Sequence, residues 1–162
     1  MITTPPCDIP DLQLKAIGRI AANWSLLEFM IGYVIADLLG IKRNVGRIVT
    51  SELNIKAQLD ILKFLAKAQN WLAPERKALK KIINTILRAR DKRNLVIHGL
   101  WAENNEGVLH LVKFRGGARI SGKYVPMTRK DIDAIAQEVE SAVSDFDAWS
   151  VNYDRRTASM AR

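Results

Sequence analysis

Apolar residues return every three or four positions along four stretches of this chain, and that period constrains the fold more than any other feature. A helix from about Asp11 to Leu39 is expected, with Gly40 as its C-terminal stop. Ser51 is expected to cap a second helix that turns Leu59, Leu62 and Leu65 inward and ends near Asn70. Pro74 suits the first turn of a third, which runs through Leu79, Ile82, Ile83, Ile86 and Leu87 toward Trp101. Thr128 and Asp131 approximate a capping box, with Asp in place of Glu. They open a fourth helix that carries Ile132, Ile135, Val139, Val143, Phe146, Trp149 and Tyr153. Before it the period drops to strand-like. Val108–Arg115 and Arg119–Val125 flank Gly116-Gly117, a two-residue hairpin signal. Short connections favour antiparallel neighbours, so the expected fold is all-α: an up-and-down four-helix bundle with a β-hairpin inserted between the third and fourth helices.

At 162 residues, 48% hydrophobic and 26% charged, the chain suits one domain with a substantial core. Within that single domain, 1–162, the sequence suggests an irregular arm at 1–10, the hairpin insertion at 107–126 and a frayed basic tail at 155–162. Cys7 is the sole cysteine, which excludes an intrachain disulfide and a thiolate zinc site and fits a reducing cytoplasm. No basic segment followed by an apolar stretch marks a secretory signal. Ala21 to Ile41 is apolar, but Asn23, Ser25, Glu28 and Asp37 interrupt it, so a buried bundle helix is expected rather than a membrane span.

The formal net charge is +8, and its distribution is uneven. Eight basic residues lie between Glu75 and Arg93 against two acids, and six between Lys113 and Lys130 against none. Six acids without Lys or Arg then occupy Asp131 to Asp147. Basic runs usually form solvated helix faces. The balance favours a polyanionic partner, either nucleic acid or an anionic membrane surface, and two basic runs bracketing a single candidate site make a merely solvated face less fitting here.

That site is Arg93-Asn94-Leu95-Val96-Ile97-His98. Arg neutralises phosphate charge, His titrates near neutral pH, and Asn positions either. At about 100° per residue Asn94 and His98 share a face, which Arg90 and Trp101 extend. The apolar stripe of the third helix should continue through these positions, where charged groups are costly unless paired or opened to a cleft. Glu28, alone among apolar neighbours, is expected either to pair with Arg93 or Arg90 and orient it, or to face solvent with Ser25 and Gly32. His110 has no acid or Cys partner at ligand spacing, so no metal site and no cofactor are expected.

The Arg-Asn-x3-His hexad resembles the Arg-polar-x3-His pattern of the HEPN (higher eukaryotes and prokaryotes nucleotide-binding) superfamily. The likeness extends over about residues 12–150, through Trp24-Ser25-Leu26-Leu27-Glu28 on the first helix, His98-Gly99-Leu100-Trp101, and a hairpin before the last helix. It departs at Leu100, where many toxin members carry Tyr two residues after the His. The resemblance implies a homodimeric helical bundle that cuts RNA without a metal, often in toxin–antitoxin or other defence systems, with an antitoxin protein as a further partner. Carried over by position, Arg93 and His98 would be the catalytic pair and Asn94 the polar residue beside them. Arg90, Lys92, Trp101, Lys113, Arg115 and Arg119 are the candidate RNA contacts. Three readings follow: a metal-independent endoribonuclease, a non-catalytic module that binds RNA or a nucleotide, and a structural dimerisation or adaptor bundle.

Overall fold

The computed structural model describes residues 8–104, 108–115 and 121–160. The described residues form α1 (Asp11–Leu39), α2 (Arg43–Ser51), α3 (Ile55–Ala68), α4 (Ala73–His98), β1 (Leu100–Glu103), β2 (Leu109–Arg115), β3 (Ser121–Pro126) and α5 (Arg129–Met160). The protein is therefore mostly helical, with one small antiparallel sheet of order β1-β2-β3.

α1 is the central element and packs against α2, α3, α4 and α5. Ile20, Trp24, Leu27, Ile31 and Ile35, spaced at three and four, are buried along it. By length and composition α1 could cross a membrane, but here that apolar stripe lines the protein's own core. It stops as expected at Gly40, whose φ of +65° suits glycine, with Ile41 N–H donating to the Ala36 carbonyl.

The chain between the first two expected helices holds a helix that periodicity did not disclose. α2 turns small residues inward: a Cβ on Gly46 would lie 2.3 Å from Ala36 Cβ, so only glycine lets the backbones approach this closely. Ser51 is accordingly the last residue of α2, not the cap of the next helix. Asn54 takes the cap, its Oδ1 accepting from Ala57 N–H at 3.0 Å. α3 ends close to the expected position, with Asn70 left-handed at φ 55°.

α4 begins around Pro74, where Glu75 Oε2 accepts from Leu72 N–H. It ends at His98, short of Trp101, where Gly99 turns extended; a Cβ there would sit 2.3 Å from the Leu95 carbonyl and 2.7 Å from Leu111 Cδ2, so the close approach needs glycine. Glycine lets the chain leave the helix there and start β1. The expected hairpin thus gains a third strand, with Trp101 opposite Leu111 and Ala102 opposite His110. β2 and β3 pair from His110–Pro126 to Arg115–Ser121, while the Gly116-Gly117 turn lies outside the described residues. Residues 8–10 are non-helical, and residues 1–7 of the expected arm lie outside the described residues. The tail differs: α5 continues through 155–160 instead of fraying beyond Asp154.

At the start of α5, Thr128 Oγ1 accepts from Asp131 N–H while Asp131 Oδ2 accepts from Thr128 N–H, which completes the expected capping box. The Thr128 hydrogen bonds hold the Asp131 carboxyl below its usual range. Residues of α1, α3, α4, β2 and α5 share one hydrophobic core. At one end of it Trp71 stacks on Tyr153 at 4.9 Å, with Trp149 beside both.

Candidate active site

The apolar stripe of α4 runs Leu79, Ile83, Ile86, Ala89 and then resumes at Val96. Steps of three and four place Arg93 in the gap between Ala89 and Val96. Arg93 therefore occupies a core-facing position, half-buried, while Asn94 and His98 are exposed. A guanidinium there needs partners, and α1 supplies one: the Arg93 Cζ lies 5.6 Å from the centre of the Trp24 ring, a cation–π arrangement. Trp24 itself is 1% exposed, and its Nε1–H donates to Glu28 Oε1 at 2.8 Å.

Arg93 Nη1 donates to two acceptors, Asn94 Oδ1 at 3.0 Å and His98 Nε2 at 2.8 Å. Because a guanidinium only donates, His98 accepts through its Nε2 lone pair and carries its proton on Nδ1. The three residues of the hexad thus meet within one chain. Helical geometry alone sets Arg93 to one side of His98; the end of α4 and the reach of the arginine close that gap. The opposite edge of the guanidinium is unpaired. Nε is buried without a hydrogen-bond partner, and Nη2 has none among the described residues. An orphaned buried donor costs about 1–3 kcal/mol, more for a charged group. Such an edge engages a phosphate through two parallel hydrogen bonds once the buried Nε is opened to it.

Arg93 and Asn94 line a cleft of about 420 Å³ between α1, α4 and the start of α3, and His98 lies outside its lining. Asn54, Lys56, Arg90 and Asp91 line it with Trp24, Glu28 and Arg93. The N-terminus of α3 adds its partial positive charge. Lys56 and Arg90 are held by neighbouring carboxylates, Asp60 at 3.2 Å and Asp91 at 2.7 Å. The Lys56 and Lys63 hydrogen bonds in turn hold the Asp60 carboxyl below its usual range. Beyond Asp91 a second, open cleft of about 570 Å³ lies along Lys81, Asn84, Leu87 and Arg88. The basic run of α4 therefore adjoins the Arg93 cleft.

Several sequence expectations need correction. Glu28 forms no ion pair with Arg93 or Arg90 among the described residues; it acts on Arg93 indirectly, through the Trp24 indole between them. The carboxylate sits one turn past Trp24, so the indole N–H reaches it first. Lys92 points away from the cleft and pairs with Glu138 of α5. Trp101 is not free to contact RNA through its N–H, which donates to the Val96 carbonyl at 3.1 Å and satisfies the end of α4. Lys113 and Arg115 lie on the backbone of β2, and Arg119 lies outside the described residues. His110 is half-buried, with Nδ1–H donating to the Val108 carbonyl at 2.8 Å. Among the described residues no three His, Cys, Asp or Glu side chains converge to hold a metal ion.

Trp24, Asn54 and Lys56 were missed as site residues. The i, i+4 spacing of Trp24 and Glu28 was a readable signal for one of them, and Asn54 just before the apolar run from Ile55 was another. Nothing local marked Lys56, which reaches the site only because α3 starts there. No protein-family model, curated protein or solved structure matches the chain.

Proposed function

We propose that this protein is a metal-independent endoribonuclease of HEPN type, a cytoplasmic homodimer that acts in a toxin or defence role. The observation that carries this reading is the Arg93 guanidinium, fixed to Asn94 and His98 by one nitrogen and unpaired along its Nε–Nη2 edge. His98 Nε2 is held by Nη1, away from that edge, so a phosphodiester that engages both groups would displace the Arg93–His98 hydrogen bond. The reaction would be internal: the ribose 2′-oxygen bonds to the adjacent phosphorus as its proton passes to His98 Nε2, which gives up its hydrogen bond from Arg93 Nη1 to take it, and the P–O5′ bond breaks as that oxygen gains a proton. Base or acid help from the imidazole is worth about 10²–10⁴-fold. Arg93 would stabilise the phosphorane charge. Acid and base would come from the His98 residues of the two subunits. Exposed apolar residues on α2, Val45, Ile48 and Val49, favour such an association. The HEPN-type reading also carries the finer fold assignment, a four-helix bundle of α1, α3, α4 and α5.

A second reading has its own support. His98 Nε2 is occupied by Arg93, as in a module that binds RNA without cutting it. One experiment separates the two: mixed RNA incubated with the protein in EDTA, beside His98→Ala and Arg93→Ala. The nuclease reading expects cleavage by the wild type alone, ending in a 2′,3′-cyclic phosphate. Equal cutting by His98→Ala overturns it. Tight, salt-sensitive binding that survives His98→Ala and weakens with Arg93→Ala, with no cleavage by any form, establishes the binding module.

A further inference from the structure

Glu28 borders two cavities, the Arg93 cleft and a second one of about 320 Å³ between α1, α2 and the start of α3. Such a volume lies within the range of small-ligand sites. Glu28 Oε1 accepts from Trp24, while the second carboxylate oxygen has no partner among the described residues. Gln58 is 4% exposed, and its Nε2 donates to the Thr50 and Leu53 carbonyls at 3.0 Å each. Those two bonds fix which end of the amide is oxygen, and that Oε1 is buried without a donor. Gln58 Oε1 is closed to solvent, so the acceptor open to a ligand is Glu28, while the Arg47 guanidinium and the Tyr33 hydroxyl border the cavity as donors; a ligand that fits gives donors to the carboxylate and acceptors to the other wall. The other walls are flat. Phe29 and Tyr33 sit with ring centres 4.2 Å apart, and the Arg47 guanidinium lies 5.2 Å from the Phe29 ring centre.

We infer that this cavity is a base-recognition subsite, and that it takes guanine. Aromatic rings and guanidinium planes stack unpaired bases, whose Watson–Crick edges are then read by hydrogen bonds. Guanine presents N1–H and the N2 amine side by side, two donors that match a carboxylate. A free anion is disfavoured because Glu28 faces it. The inference rests on the RNA reading above and deepens it: the base adjoining the phosphate on Arg93 enters the neighbouring cavity, with Glu28 as the shared wall.

The test is binding rather than cleavage. Fluorescence anisotropy of 2′-fluoro oligouridylates, which lack the attacking hydroxyl, compares a single central guanine, hypoxanthine, adenine or uracil. Guanine is expected to bind about tenfold or more tighter than adenine or uracil, with hypoxanthine, which lacks the N2 amine, between. Glu28→Gln keeps an oxygen for the Trp24 indole but replaces the other acceptor with a donor, so it should erase the preference while circular dichroism stays unchanged. Equal affinity for all four bases, or a guanine preference that persists in Glu28→Gln, overturns the subsite. Cleavage of ordinary RNA without base preference leaves the nuclease reading standing and removes only the subsite. Guanine preference without cleavage does the reverse, and no RNA binding at all removes both.

Discussion

The two halves of α4 follow the same helical period with opposite contents. From Leu79 to Ile86 the inward positions are aliphatic and buried, and they close on α3, α1 and α5. From Ala89 to Val96 the inward position is Arg93, which a tryptophan face receives on one side and which keeps an unpaired edge on the other. The first half gains stability from a complete match to its neighbours. The second gives some of that up, through an orphaned Nε–H, to set a guanidinium in the wall of a cleft. A helix can thus serve packing and chemistry in succession without a change of backbone.

The comparison predicts that damage to the first half is read in stability and damage to the second in activity. Ile86→Ala should lower unfolding stability most, by about 2–5 kcal/mol, as measured by urea denaturation. Cleavage per folded molecule at low temperature should be unaffected. Arg93→Met should do the converse. Loss of the phosphorane-stabilising donor is expected to cost about 10²–10³-fold in RNA cleavage, while the melting temperature holds or rises because the orphaned group is gone. A large fall in melting temperature for Arg93→Met would show that the guanidinium is a structural part after all.

Gly99→Ala probes the join between helix and sheet. Relief of a 2.3 Å approach to the Leu95 carbonyl requires the backbone after His98 to move, at about 1–3 kcal/mol. Activity should fall further than the folded fraction does, because His98 shifts away from Arg93. Equal losses in the two measurements would separate the imidazole from the site. The smallest effect is expected at Asp131, far from the chemistry. Its folded carboxyl titrates below the ordinary value of 3.8, so its contribution is complete above that value and is lost as pH falls through the lowered one. Asp131→Asn should therefore reduce stability by about 1 kcal/mol or less near neutral pH, with the gap to wild type closing in thermal melts as pH falls through the lowered value.

Much of the fold was legible because its signals are local. Gly40 and the Thr128/Asp131 box announce a helix end and a helix start within a few residues. α2 escaped notice because its inward residues, Gly46 and Thr50, are small or polar, and its period of burial is visible only once Ala36 and Gly32 are seen across from it. β1 escaped because four residues are too few to show alternation, and only pairing with β2 makes them a strand. At the site, the hexad itself was conspicuous. The company it keeps was not: Lys92 and Trp101 looked like ligand contacts until Glu138 and the Val96 carbonyl claimed them.

The amino-acid order by itself determined where α1, α3, α4 and α5 form and where the α4 stripe is broken by a guanidinium, since both depend on neighbours three and four residues away. Tertiary structure alone decided that Trp24 lies under Arg93, that Glu28 holds the tryptophan rather than the arginine, and that two cavities share Glu28 as a wall. Those contacts join elements remote along the chain, and the packing that brings them together is set by the shape of the whole core, which no local period encodes.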